Sequence, residues 1–168
     1  ALKLWAFGFK VFPVKIYWGN GKLVKKPLIE WKRLIGEPQT EQDVLAMPWA
    51  DANGIGAVMG ELCPADKVEE PKLYHCVLDI DHGYEEKAKV LFKRGVLPEE
   101  TLTCKTPRGG RHYHYLSTKP VATYRSKFKD ILGIEILGVG SVVVVPPSFG
   151  GEYEYVETYP PAIVEDLE

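Results

Sequence analysis

Leu73-Tyr74-His75-Cys76-Val77-Leu78-Asp79-Ile80-Asp81 is an apolar, β-prone run that ends in two carboxylates two residues apart. Side chains on a strand alternate between its faces, so Asp79 and Asp81 point one way while Cys76, Leu78 and Ile80 point the other, into a core. This reading makes the run the central strand of a sheet and its tip a platform for a cation. The two carboxylates lie roughly 6.5 Å apart by the strand rise, and at an effective dielectric of about 20 they repel by on the order of 2.5 kcal/mol. A divalent cation relieves that repulsion. Taken alone, the pair reads first as the frayed tip of a strand carrying two solvated acids.

Two segments further along add chemistry of the same kind. Thr106-Pro107-Arg108-Gly109-Gly110-Arg111-His112-Tyr113-His114-Tyr115 is a glycine-rich turn with two arginines that feeds a strand carrying His112. Missing side chains at Gly109 and Gly110 let backbone amides approach an anion, and Arg108 and Arg111 offer bidentate contacts to phosphate. Strict alternation turns Arg111 away from His112, which makes Arg108 the better candidate. His114 shares the face of His112, so His112-x-His114 with an acid is an alternative transition-metal site; His114 also reads as a satisfied strand histidine. The second segment, Gly133-Ile134-Glu135-Ile136-Leu137-Gly138, leads into Val142 to Val145 and the turn Pro146-Pro147-Ser148. In Ile134-Glu135-Ile136 the isoleucines share one face and Glu135 takes the other, where it meets the aspartates if this strand pairs beside theirs. A half-buried carboxylate needs a partner or a metal to offset its desolvation.

Around these segments the chain alternates short strands with glycine and proline turns. Tyr84 to Arg94 is the clearest helix, with Ala88, Leu91 and Phe92 as its apolar stripe and Glu85-Glu86 and Lys93-Arg94 suited to its two ends. Strands follow at Leu102 to Lys105, His112 to Leu116, Gly133 to Leu137, Ser141 to Val145 and Tyr153 to Val156. Upstream, Lys10 to Trp18 reads as a strand, an edge one because of Pro13. Gly19-Asn20-Gly21 is a hairpin turn, and Thr40 with Asp43 three residues on opens a short helix. Gly54 to Met59 is a buried strand and Pro64 to Pro71 a polar loop. Strands that succeed one another without helical crossovers give an α+β domain, with a mixed or antiparallel sheet core and flanking helices.

In this order, Leu78-Asp79-Ile80-Asp81, Thr106-Pro-Arg-Gly-Gly-Arg-His112, Gly133-Ile-Glu135-Ile-Leu-Gly and Pro146-Pro147-Ser148 resemble the primase/polymerase (prim-pol) domain of the archaeo-eukaryotic primase superfamily, found in replication proteins of plasmids and viruses. Phe12-Pro13, Lys26-Pro27, Trp31 and Asn53-Gly54-Ile55 fit the N-terminal half of the same pattern. The resemblance implies a catalytic, RRM-related half over residues 73–168 and a smaller N-terminal lobe over residues 1–72. It implies a two-metal site for Mg2+ or Mn2+ held by Asp79, Asp81 and Glu135, where many relatives have aspartate in place of Glu135. His112 then contacts the nucleotide, and Arg108, Arg111, Lys26 and Ser148 are further nucleotide-binding candidates. The implied activity is template-directed nucleotidyl transfer from dNTPs or NTPs on single-stranded or primed DNA, with a helicase as a possible partner. A metal-dependent phosphodiesterase or nuclease could use the same acids, and a non-catalytic DNA-binding replication module is the third reading.

At 168 residues the chain is one domain long enough to bury a core. Its net charge of −2 gives no global nucleic-acid signature, but charge is unevenly placed. Lys22, Lys25, Lys26, Lys32 and Arg33 form one basic group; Lys105, Arg108, Arg111, Lys119, Arg125, Lys127 and Lys129 form another around the site. Acids gather at Glu69-Glu70, Glu85-Glu86, Glu99-Glu100 and the C-terminal end. The three cysteines, Cys63, Cys76 and Cys104, show no Cys-x-x-Cys spacing, so neither a disulfide framework nor a standard zinc motif is indicated. No apolar run is long enough for a membrane span and no signal peptide is evident. A cytoplasmic protein with no membrane partner is expected, and the start at Ala1 without methionine suggests a piece of a larger replication protein.

Overall fold

A computed structural model describes residues 1–63, 72–124 and 133–165. The polar loop from Pro64 to Pro71, the basic residues Arg125, Lys127 and Lys129, and the last three residues lie outside the described residues. The strands are β1 (Lys10–Gly19), β2 (Lys22–Pro27), β3 (Gly54–Val58), β4 (Gly60–Glu61), β5 (Tyr74–Ile80), β6 (Thr103–Lys105), β7 (Arg111–Ser117), β8 (Ile134–Leu137), β9 (Val142–Val145), β10 (Glu154–Glu157) and β11 (Ala162–Val164). The α-helices are α1 (Leu2–Ala6), α2 (Glu41–Leu45) and α3 (Glu85–Lys93). The domain is α+β, with largely antiparallel sheets as the strand succession predicts.

Two sheets carry the fold. One has the order β2-β1-β3-β9; the other runs β10-β6-β7-β5-β4, with β8 also paired to β5 and β11 to β7. Each sheet draws strands from both sides of residue 72. Phe9, just before β1, and Val11, Ile55, Ala57, Val143 and Val145 of the first sheet pack on Val77 and Leu137 of the second, so the sheets meet face to face. On the far side of the second sheet, Cys76, Leu78 and Ile80 pack with Ala88, Leu91 and Phe92 of α3. Both faces of β5 are therefore covered, and its odd-numbered residues look into the space between the sheets.

Local chemistry sets the connections. Gly19 pairs with Lys22 across a two-residue turn in which Asn20 and Gly21 both have positive φ (50° and 71°), the geometry an Asn-Gly hairpin favours. Thr40 and Asp43 form the reciprocal capping box at the start of α2. One expectation fails: β1 is interior, not an edge, since it pairs with both β2 and β3. Pro13 is tolerated because its carbonyl, which accepts from Leu28 N at 3.0 Å, points to the β2 side just where that ladder has ended at Val14–Pro27. The amide donor it lacks would face the same way. Asn53 extends the other ladder, with its side chain exchanging hydrogen bonds with Ile16 N (2.7 Å) and O (2.8 Å). Not foreseen from sequence are α1, the short β4 and β11, which pairs parallel to β7.

Candidate active site

β5 lies between β7 and β8, and the register puts Asp79 directly opposite His112 on one side and Glu135 on the other. Directly opposed residues share a face, with Cβ atoms about 5 Å apart. Glu135, Asp79 and His112 thus form a row across three strands on the face turned toward the first sheet. Ile134 and Ile136 go to the opposite face and pack with α3's cluster, as their alternation with Glu135 requires. Asp81 is exposed just past the end of β5, its N–H donating to Gly133 O at 2.8 Å, so the tip of β5 is tied to the start of β8.

Burial grades along the row. His112 is 4% exposed and Glu135 7%, while the Asp79 side chain retains 24% exposure and its Oδ1 lies 3.5 Å from His112 Nε2. Burial pushes the His112 pKa down to about 3, with Lys25 adding to the shift and the nearby backbone of Val144 opposing it. The imidazole is therefore neutral at any ordinary pH and does not balance the acids beside it.

A family model, the bifunctional DNA primase/polymerase N-terminal (Prim-Pol) domain, matches residues 1–166. The chain belongs to the Prim-Pol family. No curated protein matches it. At the level of the family, the function is of the DNA primase/polymerase type, with DNA and nucleotides as substrates and divalent metals in use.

The donor set of this Prim-Pol domain fits such metals. Asp79 and Glu135 stand directly opposite one another on one face of the sheet, beside His112. With Asp81 at the strand tip they offer hard carboxylate oxygens of the kind magnesium and manganese take.

The other predicted residues scatter. Arg108 is exposed on the turn that lies against the Asp81 end of β5. Arg111 takes the far face, as alternation requires, where it hydrogen-bonds Tyr113. Ser148 is buried, and its hydroxyl both accepts from Ile55 N (2.8 Å) and donates to Val145 O (2.5 Å), which pins the turn after β9 to β3. Lys26 is exposed opposite Lys15. Its neighbour Lys25, not singled out from sequence, is the lysine whose charge reaches His112; its Nζ lies 5.9 Å from the centre of the Tyr153 ring. Alternation shows that Lys25 and Lys26 face opposite ways, but only the packing tells which one meets the site. Gly109 and Gly110 also have a packing role. The Gly109 N–H is committed to Thr106 O at 2.9 Å, and a Cβ at either glycine would meet β5's tip, at His82 Nδ1 (2.9 Å) and Ile80 O (2.5 Å). Their bareness lets the loop close on the strand that carries the acids.

His114 is fully buried, with its Nδ1 2.9 Å from His75 Nε2, and burial also pushes its pKa down to about 3. His75, stacked on Phe9 at 4.1 Å, is lowered well below the ordinary range by burial, then by His114. Among the described residues, Asp79 Oδ1 lies 3.5 Å from His112 Nε2, Lys25 acts on His112, Cys104 Sγ lies 3.8 Å from His114 Nε2, the Tyr153 ring is 6.5 Å from His112, and Tyr155 is opposite Cys104. Unfolded histidines take up protons below about pH 6.5 while these three stay neutral, so the stability they carry is whole above that pH. Below it, stability falls by about 1 kcal/mol per pH unit for each histidine. In chelator-treated buffer the urea midpoint should hold from about pH 7.5 to 6.5 and drop toward pH 5, with a shallower drop in His75→Phe. A midpoint flat to pH 5 would contradict neutral burial.

Proposed function

We propose that the domain catalyses template-directed nucleotidyl transfer from nucleoside triphosphates to the 3′-hydroxyl of a DNA or primer strand, as a DNA primase/polymerase. The row Glu135–Asp79–His112 within a Prim-Pol match over residues 1–166 carries this reading. Asp79, Asp81 and Glu135 would hold the divalent ions, which would supply charge stabilisation at the attacking and leaving oxygens. The chain's own work is positioning. β5 sets Asp79 between β7 and β8, the Gly109-Gly110 loop fixes the tip that carries Asp81, and His112 Nε2 offers a hydrogen-bond donor at the edge of Asp79, where a triphosphate oxygen can accept it. Arg108 and Lys25 add positive charge on the approach of the triphosphate. The test is incorporation of labelled dNTPs and rNTPs on primed and unprimed single strands, with magnesium or manganese. Shortening of the DNA in place of extension would assign the acids to a nuclease.

His112→Ala is expected to raise the KM for nucleotide by ten- to a hundredfold, about 1.5–3 kcal/mol for a lost charge-assisted hydrogen bond. Affinity for single-stranded DNA should change little. Equal losses of both would refute the triphosphate contact.

The β1–β2 hairpin supplies a surface for the template. Residues 10–27 contain five lysines and no acid in a chain of net charge −2. The register places Lys15, Lys26, Tyr17 and Lys22 on one face of the hairpin. Tyr17 (45%) and Trp18 (55%) are exposed at its distal end, an aromatic and basic combination that suits stacked bases on a phosphate track. Replacing both rings with alanine should weaken single-stranded DNA binding by about tenfold or more, and Lys15→Ala with Lys26→Ala should flatten its dependence on salt. Unchanged binding in both variants would move the template elsewhere.

A further inference from the structure

Behind the acid row the space between the sheets holds a second, softer set of donors. Cys104 on β6 is the direct partner of His112 on β7, and His114 lies two residues along on the same face. One ligand atom from each of Cys104, His112 and His114 falls within 4.8 Å of the others, and all three residues are buried. Cys104 Sγ and His114 Nε2 are 3.8 Å apart, close to the roughly 3.5 Å that Zn–S and Zn–N bonds of about 2.3 and 2.0 Å impose in a tetrahedral site.

Independent observations point to something between these groups. The buried atoms Tyr153 Oη and Tyr155 Oη have no hydrogen-bond partner among the described residues, and His112 Nδ1 has none beyond the backbone of Val144. Tyr155 is the cross-strand partner of Cys104 on its other side, and the Tyr153 ring lies 6.5 Å from His112. Buried polar groups are otherwise nearly always satisfied. A further pattern matches metal sites: a ligating histidine commonly gives its second ring nitrogen to a carboxylate or other acceptor, which fixes its tautomer. His112 turns Nε2 toward Asp79, and His114 turns Nδ1 toward His75.

We propose that Cys104, His112 and His114 form a tetrahedral transition-metal site of the zinc class, with water in the fourth position, built into the sheet behind the catalytic carboxylates. Binding converts the Cys104 thiol to a thiolate and releases one proton. It sets His112 with Nε2–H outward toward Asp79 and His114 with Nδ1–H donating to His75. The site is distinct from the hard-oxygen set of Asp79, Asp81 and Glu135, and it does not depend on the nucleotidyl-transfer reading.

The experiment is a cobalt titration of chelator-stripped protein followed by absorption. One equivalent of Co2+ should produce the intense ligand-field bands of tetrahedral cobalt and a thiolate charge-transfer band, both erased by one equivalent of Zn2+ and untouched by millimolar Mg2+. Cys104→Ser should lose the charge-transfer band, His114→Phe should weaken binding by at least tenfold, and Cys63→Ser should behave as wild type. Zn2+ should also raise the melting temperature of the wild type but not of Cys104→Ser, a readout that needs no variant to be active. Absence of the charge-transfer band in the wild type, or its survival in Cys104→Ser, overturns the proposal. Weak octahedral cobalt alone would mean that only the carboxylates bind, which overturns it too while leaving the proposed polymerase chemistry standing.

Discussion

Asp79→Asn is expected to abolish nucleotide incorporation, by at least about 10³-fold, while the domain stays folded. Asp79 is the middle of the row: the register sets Glu135 on one side of it and His112 on the other, so no neighbouring side chain can take over its place. Without divalent metal the melting temperature should stay close to that of the wild type, since the substitution keeps the size and polarity of the side chain. With saturating Mg2+ or Mn2+ the wild type should melt above the variant, because it gains binding energy that the variant has lost. Glu135→Gln should follow the same pattern. Incorporation retained in Asp79→Asn, or a metal-dependent stabilisation equal to that of the wild type, would remove the carboxylates from the metal site.

Much of this arrangement is legible in the chain because it depends on short-range periodicity. Alternation alone puts Asp79 and Glu135 opposite their apolar neighbours, turns Arg111 away from His112, and makes Asn20-Gly21 a hairpin. Alternation does not say what covers a face. Both faces of β5 are buried, one under α3 and one under the first sheet, so the acids sit at an inter-sheet boundary and not on an open platform. That boundary decides which of Lys25 and Lys26 reaches His112, and it draws Tyr153 from a distant turn against the site. The Pro13 strand shows the same limit: proline in a strand suggests an edge, but the ladder on its donor side merely stops there. Long-range register likewise separates the two roles of the histidines. His112 and His114 share a face in sequence, and only the pairing of β7 with β5 and β6 sets the first between Asp79 and Cys104, while the second, opposite Val77, reaches His75 and Cys104 through its ring nitrogens.

Gly110→Ala is expected to cost both stability and catalysis, since the added methyl has nowhere to go. An ideal Cβ at Gly110 falls 2.5 Å from Ile80 O, 3.3 Å from Thr106 Oγ1 and 3.4 Å from Asp81 Cα. Ile80 O is backbone of the strand that bears Asp79 and Asp81, so relief of the clash must move either the loop or the tip of β5. Overpacking of this kind costs about 1–3 kcal/mol, and a displacement of about 1 Å at reacting groups can cost about 10²-fold in rate. Gly36→Ala is the control, because a Cβ there meets nothing within 4 Å; it should stay within about 0.5 kcal/mol of wild type. The kinetics separate two accounts of the glycine loop. If Gly110 is bare so that β5's tip can close on it, kcat falls with Asp81 displaced while template binding is kept. If it is bare so that its amide can reach a phosphate, the loss lies in KM for nucleotide and kcat at saturation recovers. The contact with Ile80 O predicts the first, and a pure KM effect in a folded Gly110→Ala protein would return the loop to anion binding.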